Sequence, residues 1–504
     1  MGSSGSKGGL FGFFKGADGS GKEITREISA LERELKAARR RKDLARVAVT
    51  FDRLGLKHLQ SGNAPLAQES YLEILKLYNR SKEAGPRKVL ATAYNNLGVS
   101  YRIQNDLENA AKFIKKSLEV NTQHGHQKEM IVDHYNLAML KCQEADFENA
   151  MDHLYQALTI ATRMEDHEWT ALLALHRAWI YLYTCRYRDA LADYTFVLHQ
   201  STALKAIDWM VDAMCGMSRC YQNLGEYYHA HQSAEDVLQL TKERGEDVLE
   251  AKALARFSEF LLNLGDPDEA RANALRAKEL NNESDTATTL LTFRLMALVN
   301  AKRGMSDNSR KYLDRAYEIC VNVQDRINEA HVLFDMAKLD YDEVKHREAL
   351  AKAERAAKAI AATRNKELEC LNSILKGRIH QAMGDPDRSF RYRQRAMKLA
   401  EETGMPDLVW RAHYNLGRLN HAQKRHDEAY SHYHAGIQVL ENMAANLRKN
   451  ALAEVFYRDR ERCKIFQDMV LLLALRNRKE EARFYFNRIG CSDIRDKIAH
   501  LLEV

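Results

Sequence analysis

Residues 16–23 read GADGSGKE, and Gly16, Gly21 and Lys22 satisfy the spacing Gly-x-x-x-x-Gly-Lys with which a phosphate-cradling loop binds a nucleotide. That chemistry needs a hydroxyl after the lysine to hold Mg²⁺ and a buried strand before the loop. Glu23 stands at the hydroxyl position, where its charge repels phosphate, and the preceding LFGFFK is too short and glycine-broken for a central strand. The stretch therefore reads as part of a Gly/Ser-rich arm over 1–22.

The same end begins MGSSGSK, the pattern for N-myristoylation, with Gly2 exposed once Met1 is removed and Ser6 and Lys7 at the favoured positions. One acyl chain holds a protein only weakly to a bilayer. LFGFF with Lys15, and the basic run Arg39 to Lys42, would supply the second element. An unmodified Gly/Ser leader is the alternative, and both readings stay open here.

Further along, the chain carries no His-Glu-x-x-His, no Gly-x-Ser-x-Gly and no local Cys/His signature, so no catalytic residue is assigned and no enzymatic activity is expected. The densest histidine group is His413, His421, His426, His432 and His434. Two residues apart on a helix point about 200° apart, so His432 and His434 do not share one ion, and neither metal nor cofactor is expected. Eight cysteines are scattered singly, without a Cys-x-x-Cys, which excludes a disulfide framework and fits a reducing, cytoplasmic compartment. Cys142, Cys215 and Cys220 read as small core residues.

The net charge is +6 on 76 basic and 70 acidic residues, too mild to specify a partner. Basic residues do crowd Arg448 to Lys464, and Phe456, Tyr457 and Phe466 interleave them, which leaves nucleic-acid contact as an alternative. The same aromatics fit a helical core better.

What must position any functional residue is a helical scaffold. Five prolines in 504 residues, each in a short polar break, separate long stretches rich in Ala, Leu, Glu, Lys and Arg. A small residue recurs at Ala67, Ala110, Ala150, Ala190, Ala230, Ala270, Ser309, Ala349, Ser389 and Ala429, at a step of 40 with one of 39 and a first of 43. Twelve residues before each lies another: Gly55, Gly98, Ala138, Ala178, Ser218, Ser258, Ala297, Ala337, Gly377 and Gly417. A constant step of this length signals stacked repeats, and paired small sites let two antiparallel helices approach closely. In GDPDEA, Gly265 ends one helix, Asp266 caps the next and Pro267 takes its first turn; GDPDRS at 384–389 repeats the device.

On this frame YNNLGVSYRIQNDLENAAKFIKKSLEV (94–120) and HYNLGRLNHAQKRHDEAYSHYHAGIQVL (413–440) resemble the tetratricopeptide repeat (TPR) family in its Leu-Gly, Tyr, Ala and Ala positions. The 40-residue step is similar to the long-helix variety of rapsyn-like and cell-polarity scaffolds. The resemblance implies an all-α solenoid, a superhelix of ten helix-pair repeats over 43–441. Ile24, Ile28, Leu31 and Leu35 form one stripe of an N-terminal capping helix over 23–42, and 442–504 a C-terminal helical cap, a longer helical pair in which VLLLALRNRKEEARFYF is an imperfect repeat. From YRDRERCKIFQDMV onward that cap resembles the segment before the caspase-like domain of TPR-CHAT proteins, and no protease is expected after Val504.

The resemblance also implies which residues line the concave groove: those 11 and 14 before each repeat's small residue. The first set includes Trp179, Arg219, Lys338, Arg378 and Arg418; the second includes Asn96, Asn136, Arg256 and Asn415, with Arg411 alongside. In the family, asparagines at the positions of Asn96 and Asn136 bond the backbone of an extended peptide, and Trp179 would add an apolar anchor. Lys338, Arg378 and Arg418 make a basic ladder with one rung per repeat. Either it receives an acidic peptide, or its rungs pair with Asp335, Asp340 or neighbouring acids. The expectation is a non-enzymatic cytoplasmic adaptor for a partly acidic protein segment, with a tethered scaffold at the cytoplasmic face of a membrane and a nucleic-acid-contacting subunit as alternatives.

Overall fold

The computed structural model describes residues 20–81, 85–445, 447 and 451–502. The described residues form 25 α-helices, one 3-10 turn and no strand. Their contacts divide the chain into two compact units, 1–177 and 178–504. Gly2 and Gly16 lie outside the described residues, while Gly21 and Lys22 fall in the first turn of a helix rather than in a loop.

Unit 1 contains α1 (Ser20–Arg40), α2 (Leu44–Gln60), α3 (Ala64–Arg80), α4 (Arg87–Ile103), α5 (Leu107–His124), α6 (Gln127–Gln143) and α7 (Phe147–Arg163). Of the expected stripe on α1, Ile28, Leu31 and Leu35 pack with Val47, Phe51 and Leu54 of α2, and Ala38 joins them, while Ile24 stands outside that cluster. α1 thus buries the outer face of the first pair, although it begins at Ser20 rather than at residue 23. α8 (His167–Tyr183) carries the boundary between the units.

Unit 2 contains α9 (Tyr187–Leu204), α10 (Ile207–Asn223), α11 (Tyr227–Arg244), α12 (Asp247–Leu264), α13 (Pro267–Asn281), α14 (Thr286–Lys302), α15 (Ser306–Val323), α16 (Arg326–Asp342), α17 (His346–Thr363), α18 (Lys366–Ala382), α19 (Pro386–Thr403), α20 (Pro406–Ala422) and α21 (His426–Ala445). After them come α22 (Leu452–Arg458), α23 (Arg460–Leu475), α24 (Lys479–Phe486) and α25 (Ser492–Ile498). From α2 to α21, first and second helices of the repeats alternate.

Each small residue of the two series is buried. Their smallness is required by contact: a β-carbon on Gly98 would lie 2.5 Å from Ile114 Cγ1, and one on Gly417 2.5 Å from the Tyr433 ring. At three of the serines in these series the hydroxyl crosses to the facing helix, from Ser218 Oγ to Ala230 O (2.8 Å), Ser258 Oγ to Ala270 O (2.7 Å) and Ser389 Oγ to Gly377 O (2.8 Å). The caps follow the sequence too. Asp266 accepts from Glu269 N and Asp385 from Arg388 N, both at 3.0 Å, with Pro267 and Pro386 in the first turn.

The imperfect repeat read in VLLLALRNRKEEARFYF spans a helix pair. α23 and α24 pack as an eleventh helix pair, α23 lying on α21 and α20 as each first helix lies on the two helices before it. Ala482 takes the small position, and Val470, twelve before it, is equally buried. Within the basic segment the aromatics Phe456 and Phe466 are core, while Arg458 and Arg460 are exposed.

Candidate inner-face binding site

Unit 2 closes on itself. Tyr187 Oη, at the start of α9, donates to Met405 Sδ before α20 (3.0 Å). Gly225, after α10, leaves room for Pro406, whose Cγ would stand 3.1 Å from a β-carbon there. Arg462 of α23 donates to the carbonyls of Leu264 (2.7 Å) and Asn263 (2.6 Å), which end α12, and lies 3.9 Å over the Phe456 ring. Phe456 in turn meets Tyr227 edge-on at 5.7 Å. Asp459 caps α23 and takes Lys302 Nζ of α14 at 3.1 Å. The first helices of unit 2 therefore turn their charged residues toward one another.

Those charges are matched. Arg219 and Arg256 share Glu259 at 3.8 and 2.9 Å; burial raises the Glu259 carboxyl, but Arg219 and then Arg256 outweigh it and hold it down to about 2. Arg294 pairs with Asp335 at 2.9 Å. Arg411 bonds Asp407 at 2.8 Å and also Glu461, and Lys338 lies 3.6 Å from Glu461. Lys338 and then Arg411 hold Glu461 well below the usual carboxylate range. Glu367 is raised by burial against the pull of Arg219, and His331 is held well below its ordinary range by burial and then by Arg294 and Arg219. These side chains keep partial water contact yet are hemmed in by protein, so their charges act on one another across the interior.

The residues expected in the groove divide by position. The set 11 before each small residue keeps solvent contact: Trp179, 37% exposed, stacks on Tyr183 at 5.6 Å, Lys338 and Arg219 are about a third exposed, and Arg418 is 49% exposed. The set 14 before is mostly buried, which corrects the reading of Asn136 as a peptide clamp. Asn136, 4% exposed, gives Nδ2 to Asn95 Oδ1 (3.0 Å). Asn95 and Asn121 then donate to the two oxygens of Asp133, at 2.6 and 2.7 Å. Asn415 is buried and donates to Arg411 O of its own helix. Asn96, half-buried, stands beside the Tyr71 hydroxyl.

The basic ladder is largely paired, but not with the acids expected. Asp335 serves Arg294, and Asp340 serves Arg310 and Lys352. The rungs instead meet the eleventh pair: Lys338 faces Glu461, and Arg418 faces Asp468 at 3.7 Å, while Arg378 rests over the Tyr341 ring at 4.6 Å. Arg411 and Arg418 are seven residues apart on α20, as Glu461 and Asp468 are on α23, so two parallel helices pair rung for rung. Glu461 and Asp468 were not among the expected groove residues because Ala482 falls outside the 40-residue step from which those positions are counted. Among the described residues no group of three metal-ligating side chains occurs, and His432 bonds His413 rather than His434 (Nδ1 to Nδ1, 3.1 Å).

Tetratricopeptide repeat family models match residues 130–195 and 367–442, and a second such model matches 91–124. No curated protein sequence matches the chain. Among solved structures, the APC/C hetero-tetramer Cut9–Hcn1 is similar at 12% identity, over 96% of this chain and 98% of that one, with a TM-score of 0.52. A Rap protein complexed with competence and sporulation factor is similar at 14% identity over 71% and 98%, TM-score 0.52. NprR in complex with its cognate peptide NprX is similar at 17% identity over 66% and 98%, TM-score 0.51. At these identities the likeness is one of fold.

Proposed function

Given that the chain is a tetratricopeptide repeat protein, we propose that it is a cytoplasmic adaptor which carries out no chemistry and holds an extended, partly acidic segment of another protein on the inner face of unit 2. One observation carries this reading: the exposed position of successive first helices presents Lys338, Arg378 and Arg418, and carboxylates already sit there as loose pairs at 3.6 and 3.7 Å. At 3.6 and 3.7 Å neither pair is a direct hydrogen bond, so Lys338 and Arg418 keep donors for an incoming carboxylate beside Glu461 and Asp468. NprR, of similar fold, is bound to a peptide, which supports a segment rather than a globular face as the ligand.

The test is a fluorescently labelled Glu/Ala peptide titrated against the full chain at low salt. Saturable binding that falls about tenfold in Lys338→Gln/Arg378→Gln, with thermal unfolding nearly unchanged, is expected. Equal binding by that double variant would remove the ladder from the account. A myristoyl group on Gly2 would bring this adaptor to a membrane surface, and an unmodified Gly2 in the mass spectrum of the native protein removes that refinement.

A further inference from the structure

In repeats nine and ten three arginines come near enough for charge to act between them: Arg378 on α18 and Arg418 on α20, both partly exposed, and the buried Arg393 on α19, on which the other two act. Arg393 is the unusual one. It stands four residues after Ser389, where the corresponding places hold Tyr71, Ile114, Leu154, Tyr194 and Tyr433. Gly377 makes room for it, since a β-carbon there would lie 2.9 Å from Arg393 Cγ. Through this notch the side chain, 2% exposed, reaches α20 and donates Nη1 to Asn415 O and Nη2 to Gln381 Oε1.

Charge is unbalanced here, in contrast to the rest of the inner face. Among the described residues no carboxylate lies within ion-pair distance of Arg378 or Arg393, and the buried Nε of each makes no hydrogen bond. Arg418 has Asp468 at 3.7 Å, long for a bond, and Asp468 already accepts from Tyr414 Oη at 3.0 Å. Three cations thus face one carboxylate, an excess of two positive charges. Burial, and then Arg418 and Arg378, push the Arg393 guanidinium down to about 10, while burial raises Asp468.

A single added carboxylate would leave this excess half-neutralised. A phosphomonoester carries roughly −1.5 to −2 at neutral pH, and its oxygens match the forked donors of arginine. We propose that Arg378 and Arg418, with the charge of Arg393 behind them, form a binding site for a phosphomonoester dianion carried on the partner segment. The adaptor reading supplies the carrier; the site itself rests on the charge imbalance.

The experiment titrates the full chain with a labelled Gly-Glu-phosphoSer-Glu-Gly peptide, with its unphosphorylated Ser counterpart, and with inorganic phosphate as competitor. The phosphopeptide is expected to bind at least about tenfold more tightly than the Ser peptide and to be displaced by phosphate. Arg418→Gln and Arg378→Gln are each expected to lose most of that preference while circular dichroism and melting stay as in the parent. Equal affinity for both peptides, or a preference untouched by both variants, overturns the phosphate site and leaves the adaptor standing. Phosphate binding that depends on both arginines, without binding of either peptide, supports the site and overturns the adaptor.

Discussion

Gly98 has no side chain because Ile114 occupies the space where one would stand. Replacing it by alanine gains up to about 1 kcal/mol of helix propensity. Against this stand contacts of 2.5 Å to Ile114 Cγ1 and 2.9 Å to Ala110 O, and the second is backbone that cannot rotate away. Overpacking of this kind costs about 1–3 kcal/mol, so Gly98→Ala is expected to lower the urea midpoint without changing the slope. The two half-buried histidine pairs provide a pH signature. His134 with His153, and His413 with His432, meet Nδ1 to Nδ1 at 3.1 Å, which requires the accepting ring of each pair to be neutral. Burial, and then the partner ring, depress His134 and His413 from 6.5 to about 4. Between those values the unfolded chain takes up protons that the folded chain refuses, so this contribution is complete above 6.5 and is lost as pH falls toward 4. His153 is lowered by burial and then by Lys115, with Asp152 opposing and Lys141 adding to the same sense. Asp52 and Asp133, raised by burial to about 6, act oppositely over the same window. The double variant His134→Gln/His413→Gln is therefore expected to lose less stability than the parent between pH 7 and about 4.5, by on the order of 1–2 kcal/mol per pair, in urea titrations at both values. An unchanged difference would show that the pairs do not titrate as described. The small residues were legible in the sequence because their spacing is the contact itself; the partners of His413 and Asn136 were not, because spacing along one helix does not tell which neighbouring helix a side chain meets.

At the scale of elements, helix starts and stops were legible wherever local chemistry sets them. GDPDEA and GDPDRS place Gly, the Asp cap and Pro as read. The eleventh pair was legible only as an imperfect repeat in VLLLALRNRKEEARFYF: Ala482 lies 53 residues after Ala429, since residues 446–459 intervene, and so falls outside the step of 40. That insertion has a structural task. Its Phe456 and the following Asp459 and Arg462 fasten α23 to the end of α12 and to Lys302. Arg462 is 2% exposed and donates to carbonyls that its removal leaves without that donor. Hydrogen bonds from a charged donor contribute about 1.5–3 kcal/mol each, so Arg462→Leu is expected to destabilise unit 2 by several kcal/mol in chemical denaturation. A loss below about 1 kcal/mol would mean that closure does not depend on this side chain.

The whole molecule combines two ways of distributing stability. In an open stack of repeats each pair touches only its neighbours, so a local defect stays local. Unit 1 is built in that way, with successive pairs and α1 over its outer face. Closure changes the rule for unit 2, because α12 and α23, some 200 residues apart, share the Arg462 bonds. The two variants above therefore differ in the pattern of their damage as well as in its size. In hydrogen exchange of the full chain, Gly98→Ala is expected to raise exchange in α4, α5 and the adjoining α3 and α6, leaving α12 and α23 as protected as in the parent. Arg462→Leu is expected to raise exchange at two separated stretches together, the last turn of α12 and the segment from α22 into α23, because one set of bonds holds both. Exchange confined to α22 and α23 would mean that the end of α12 is held by its own repeat alone, and the turn of first helices in unit 2 would then stand without its fastening.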